Sequence, residues 1–74
     1  DEVILYMNGT GTIDARNLQA EHVLAINRDV GDAYVNAKKK LDAEIFSRGN
    51  IYYLGETEKI NRIGDGSGKL IKYK

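Results

Sequence analysis

The stretch Ala15–Arg48, ARNLQAEHVLAINRDVGDAYVNAKKKLDAEIFSR, decides the fold, because it makes up nearly half of a 74-residue chain. Val23, Ile26, Val30, Ala33, Tyr34, Ala37, Leu41 and Ile45 follow steps of three and four, which places them in one stripe of an α-helix. Glu21, Asp29, Asp32, Asn36, Lys39 and Lys40 fall opposite and read as a solvated face. Asp14 is a suitable N-cap, its carboxylate placed to accept from the free amides of a first turn. Arg48 and then Gly49 supply a stop, a cation near the last carbonyls followed by a residue that tolerates the left-handed conformation. Gly31 interrupts the pattern at a cost of about 1 kcal/mol relative to Ala, yet the stripe keeps its phase across it. The expectation is one long helix, or two helices meeting near Gly31 with Asp32 capping the second.

Outside this stretch the chain reads as strand. Glu2–Met7 is a short apolar run with β-branched and aromatic members. Asn8-Gly9 after it is a strong two-residue hairpin signal, with 10–13 as the returning strand. Ile51–Leu54 and Lys69–Tyr73 have strand character, and Glu58–Ile63 fits either a helical turn or a strand. No internal repeat or low-complexity segment is found. The fold expected is therefore α+β: a long central helix with a small antiparallel sheet, in a single domain over residues 1–74.

Composition bounds the function. The chain is 42% hydrophobic and 30% charged, too apolar for a disordered tail. It contains no Cys and a single His, His22, which excludes disulfides, thiolate metal sites and His-rich metal sites. The longest apolar run is five residues, Val3–Met7, so no helical membrane span is expected. The first residue is Asp1, which reads as a processed or trimmed start. A soluble location, cytoplasmic or virion-associated rather than secreted, is expected. So is a small structural protein of viral or mobile-element type.

No motif carries an enzymatic chemistry. Gly9-Thr10-Gly11 lacks the third glycine of a dinucleotide loop and is followed by an acid. The glycine-dense segment 64–69 lacks the spacing of a phosphate loop and the acids of a calcium loop. It reads as a loop tip, with Asp65 and Ser67 as candidate contacts. His22 beside Glu21 reads as a boundary residue. No catalytic residue, cofactor or metal is expected.

Three binding readings follow. On a continuous helix Leu24, Val35 and Phe46 recur every 11 residues and widen the apolar face. A helix of that length would run about 50 Å, against about 17–20 Å for a strand. Such an overhang predicts self-association through Leu24, Val35 and Phe46 as a homo-oligomer, or docking on another protein. The formal charge is zero, but residues 1–37 hold six acids and two bases (−4), and residues 38–74 five acids and nine bases (+4). Lys38, Lys39, Lys40, Lys59, Arg62, Lys69 and Lys72 are accordingly candidate contacts to nucleic acid or an acidic partner. A pI near 6.8 is low for a nucleic-acid binder. In the third reading the chain is a small inhibitor or immunity-type protein, with Asp29 and Asp32 facing a basic target.

Overall fold

A computed structural model describes residues 2–7 and 9–73. It contains six strands: β1 (Glu2–Met7), β2 (Ile13–Asn27), β3 (Ala33–Ile45), β4 (Ile51–Leu54), β5 (Lys59–Ile63) and β6 (Leu70–Lys72). Every pairing between them is parallel, and no helix occurs among the described residues. The chain is thus a succession of coils, each laid on the one before: a short parallel β-solenoid, 26 × 21 × 21 Å.

The register defines two sheet faces. On the first, Glu2–Met7 pair with His22–Asn27, these with Lys40–Ile45, and Lys40–Glu44 with Lys59–Ile63. On the second, Ile13 and Asp14 pair with Ala33 and Tyr34, Ala33–Asn36 with Ile51–Leu54, and Ile51–Tyr53 with Leu70–Lys72. The long strands β2 and β3 serve both faces, and the register slips where they change from one to the other, between Asp14 and Gln19 and between Ala20 and His22. Paired residues lie 17 to 20 positions apart, as in Gln19 with Asn36 and Glu2 with His22.

Side chains alternate along each strand, inward and outward. Val23, Ala25 and Asn27 of β2 point into the coil, as do Ala33, Val35, Ala37, Leu41, Ala43 and Ile45 of β3 and Ile51 of β4; all are buried. Half of the twelve buried hydrophobic residues are Ala, so the interior is narrow and the two faces approach closely. The one buried polar side chain among the described residues is Asn27, fully enclosed. Its amide donates to the Gly31 carbonyl at 2.8 Å, and its oxygen accepts from Asp29 N–H at 3.1 Å. Burying that amide is tolerable because its polar atoms are satisfied by the turn it braces.

The turns between the faces are stacked like the strands. Gly31 N–H donates to the Gly9 carbonyl, Gly49 N–H to Asp29 and Gly68 N–H to Ser47. At the start of the strands that follow, Ile13, Ala33 and Ile51 N–H donate to Asp32, Asn50 and Lys69 carbonyls one coil ahead. The backbone ladder therefore continues through the corners, which keeps these amides paired. Glycine is required there by proximity. A methyl group on Gly31 would overlap the Gly11 carbonyl oxygen, one on Gly49 that of Gly31, and one on Gly68 that of Gly49.

These observations overturn the α+β reading. The stretch 15–48 is not a helix, continuous or broken near Gly31, but most of two strands and the turn between them. Its periodicity has a physical origin. Five turns of an α-helix take 18 residues, and 18 is also the coil repeat that sets Val23 beside Leu41 and Ala33 beside Ile51. Stacked coils therefore imitate a helical stripe. The antiparallel sheet is likewise replaced by a parallel one, and Asp14 caps no helix. Of the hairpin signal, Asn8 lies outside the described residues, and Ile13 pairs with Ala33 instead of folding back on β1. An internal repeat is present after all: Gly11, Gly31, Gly49 and Gly68 each precede by two an inward apolar residue, Ile13, Ala33, Ile51 and Leu70. The strands expected at Glu2–Met7 and Ile51–Leu54 are present at those bounds.

Gly49→Ala should destabilise the chain by about 2 kcal/mol or more, the scale of overpacking against a fixed backbone. Gly11→Ala, where a methyl group meets open space, should leave the urea midpoint close to that of the parent chain.

Candidate functional site

Outward positions of the same register form the surface. On the first face they make three columns: Glu2, His22, Lys40 and Lys59; Ile4, Leu24, Asp42 and Asn61; Tyr6, Ile26, Glu44 and Ile63. The lower half of this face, from the first two coils, is apolar. Ile4 is 60% exposed and Tyr6 51%, with Leu24 and Ile26 half-buried beside them. At the corner the turn ladder sets Arg28 next to Phe46 in the coil above, through Phe46 N–H on the Asn27 carbonyl. The Arg28 guanidinium lies 5.2 Å from the centre of the Phe46 ring and 6.0 Å from that of Tyr6. A cation over two ring faces is held electrostatically while its N–H donors stay directed to the surroundings. Ile4, Tyr6, Leu24, Ile26 and Phe46 with Arg28 thus form one apolar surface carrying one fixed positive charge. Exposed, contiguous apolar area rimmed by polar residues marks an interaction surface.

The second face carries an aromatic spine instead. Tyr34 and Tyr52 are register neighbours and stack at 4.7 Å with planes 13° apart. Tyr73 meets both edge-on, at 5.5 and 6.3 Å. Arg16 lies over Tyr34 at 5.2 Å and Tyr73 at 5.6 Å, and is tied to Asp14 by two hydrogen bonds of 2.6 and 2.8 Å. Bonding to Arg16 holds the Asp14 carboxyl below its ordinary value of 3.8, and bonding to Asp14 raises the Arg16 guanidinium. Because the ring faces are occupied by one another and by Arg16, the spine clasps successive coils and presents mainly edges to solvent.

Residues singled out in the sequence are dispersed by the fold. Val35 is fully buried in the interior, Leu24 faces outward on the first face, and Phe46 stands exposed at the corner. The rod on which the three were aligned does not exist. Of the basic residues, Lys40 and Lys59 are adjacent in register. Lys39 pairs with Glu21 at 3.2 Å and holds that carboxyl below its ordinary range, and Lys40 lies 3.7 Å from Asp42. Lys38 is exposed where β3 changes face, Lys69 sits in the last turn and Lys72 ends β6. Arg62 does not join them: it occupies the inward column above Ala43 and donates to the Gly66 and Gly68 carbonyls at 2.8 and 2.9 Å. Asp65 and Ser67 are exposed in that same last turn. Asp29 and Asp32 act within the corners, accepting from Gly9 and Asn50 amides, both at 2.9 Å. His22 is exposed in the column between Glu2 and Lys40. No group of three or more His, Cys, Asp or Glu side chains is gathered to hold a metal among the described residues.

The surface that sequence reading missed is the pairing of Arg28 with Tyr6 and Phe46, residues 18 to 40 positions apart. The available signal was the alternation Ile4, Tyr6 and Leu24, Ile26 on strands 20 residues apart, which is visible only once those segments are taken as strands.

The Asp14–Arg16 pair gives a pH prediction. A depressed carboxyl contributes stability above its unfolded pKa, and that contribution is lost as pH falls through the lower folded value. Asp14→Asn should therefore flatten part of the loss of stability below about pH 4, read as the urea midpoint from pH 7 to pH 2.

No curated protein and no solved structure matches the chain. Residues 1–57 match the family model described as "Putative auto-transporter adhesin, head GIN domain" (DUF2807). That match spans three of the four coils, from β1 through β4 and the turn beyond it, including the apolar outer surface and most of the aromatic spine, and the chain belongs to this family.

Proposed function

We propose that the chain is a non-enzymatic adhesive module that binds another protein through the apolar outer surface of its first face. The observation that carries this reading is the cluster of Ile4, Tyr6, Leu24, Ile26 and Phe46, outward on adjacent coils, around the ring-held Arg28. A parallel sheet is ordinarily covered on both faces, and here the outer one is left apolar and open. The backbone ladder fixes the positions of these side chains, so little conformational freedom is lost on binding. The family description, adhesin and head domain, favours a partner met at a surface and a location at the cell exterior. The partner chemistry that fits is an apolar protein patch bearing a carboxylate for Arg28.

Membership of an adhesin-type family replaces the expectation of a viral structural protein. The homo-oligomer expected from an overhanging helix has lost its basis, since no helix occurs among the described residues. Among the described residues no helix is long and apolar enough to cross a membrane. The nucleic-acid reading has less support, because Lys39 and Lys40 lie beside acids and the Arg62 guanidinium is engaged with the Gly66 and Gly68 carbonyls. The inhibitor reading also has less support, because Asp29 and Asp32 accept from backbone amides.

The test is retention of the purified chain on a panel of immobilised extracellular proteins and, separately, glycans. Retention on one or more proteins is expected, falling at least about tenfold in the doubly substituted Tyr6→Glu, Ile26→Glu chain and unchanged in Lys59→Glu. Circular dichroism of the double variant should match that of the parent. Retention on glycans alone, or undiminished retention of a folded double variant, would overturn the proposal.

A further inference from the structure

Four positions where the first face meets its corner form a rectangle in the register. Ile26 and Glu44 are partners on adjacent coils. Two residues farther along, Arg28 and Phe46 are neighbours through the turn ladder. Arg28 and Glu44 therefore occupy one diagonal, and Ile26 and Phe46 the other. With coils about 4.8 Å apart and two residues of extended chain covering about 6.7 Å, the two charged positions lie about 8 Å from each other. All four belong to coils with a described coil on either side, so neither end of the stack enters this geometry.

The two charges are left open in different ways. Arg28 lies against the Tyr6 and Phe46 rings, which hold its guanidinium without neutralising it. Glu44 is half-buried between Ile26 in the coil below and Ile63 in the coil above. No hydrogen bond or ion pair joins its carboxylate to another described residue. Asp42, two residues before it, differs: that carboxylate accepts from the Asn61 amide at 3.0 Å and lies 3.7 Å from the Lys40 ammonium. Of the two acids that border the apolar cluster from the coil above, the one beside Phe46 has no partner of its own.

We infer that Glu44 selects the partner of the outer face: a protein segment with a basic side chain opposite Glu44 and a carboxylate opposite Arg28, on either side of an apolar residue seated between Ile26 and Phe46. This rests on the adhesive reading above and narrows it. A purely apolar surface laid on this corner would strip water from Glu44 and return nothing, and a carboxylate buried without a counter-charge is strongly disfavoured. A segment carrying a base forms a charge pair there instead, sheltered from water by the surrounding side chains. Adhesion thus comes from the apolar side chains, and rejection of the wrong surface from Glu44. Order matters as well, since exchanging acid and base on the segment would set like charges together at both positions. A second copy, its Arg28 facing Glu44 across a twofold axis, is the competing occupant; the family description of an adhesin favours a partner other than the chain itself.

The test presents a phage-displayed library of random dodecapeptides to the whole chain and to Glu44→Lys. Peptides enriched on the parent should carry a base and an acid flanking an apolar residue; those enriched on Glu44→Lys should carry an acid in place of the base. A parent-selected peptide should bind at least about tenfold more weakly to Glu44→Lys and to Glu44→Gln. Tighter binding to Glu44→Gln, the result expected of a purely apolar partner, would overturn the inference, as would selection of the same peptides by parent and Glu44→Lys. So would an absence of enrichment on the parent, or a dimer in light scattering that Glu44→Lys dissociates. Peptides that fail to bind the Tyr6→Glu, Ile26→Glu chain yet ignore both changes at Glu44 would remove this inference and leave the adhesive reading standing. If circular dichroism shows Glu44→Lys unfolded, the sign of the Glu44→Gln effect decides alone.

Discussion

The structure depends on one close contact repeated from coil to coil, the stacking of turn glycines on the carbonyl oxygen of the turn before. Gly31 on Gly11, Gly49 on Gly31 and Gly68 on Gly49 set the rise at the corner, and no side chain fits between them. With that spacing fixed, the amides on either side reach the carbonyls of the neighbouring coil and the strands leave the corner in parallel register. A hairpin folds by local contacts, but these pairings each join residues 17 to 20 apart. Turn geometry therefore has to supply the alignment that a tight loop would otherwise give.

The register settled at the corner then decides what each face displays. A side chain one position along lies on the opposite side of the sheet, so the register of each pair of strands determines which residues meet. Tyr34 and Tyr52 become stacked neighbours, and Arg16 reaches over them with its charge held by Asp14. On the other face Ile4, Tyr6, Leu24 and Ile26 come to one side, and the corner brings Arg28 between two rings. One device, the parallel ladder, thus builds the core, the clasp and the candidate binding surface. In the last described coil, Arg62 and Lys72 continue the columns of Ala43 and Tyr53.

How much of this was legible can be judged element by element. Glu2–Met7 and Ile51–Leu54 show their strand character locally, through β-branched and aromatic content next to a glycine-bearing turn. Residues 15–48 do not. Ala at positions 20, 25, 33, 37 and 43 favours helix intrinsically, and coils of 18 residues place like positions in phase with five helical turns. Narrowness of the core is what calls for those alanines, so the feature that suits the solenoid is the one that mimics a helix. The candidate surface was hidden for the same reason, since Tyr6, Arg28 and Phe46 are unrelated until the segments holding them are strands.

By itself the sequence determined that the chain lacks thiolate chemistry and that Glu2–Met7 has strand character; its glycines at 11, 31, 49 and 68, each two before an apolar position, do not read as a repeat. It did not determine their meaning, because a glycine's tolerance of close approach matters only when something approaches. Tertiary structure decided that the approaching group is the previous turn, and hence that the pairing is parallel. It also decided that Val35 is core while Phe46 is surface, and that Arg62 bonds to the carbonyls of the last turn instead of joining a basic patch. The physical reason is that inward and outward are assigned by register between distant segments. That assignment exists only after the coils have stacked.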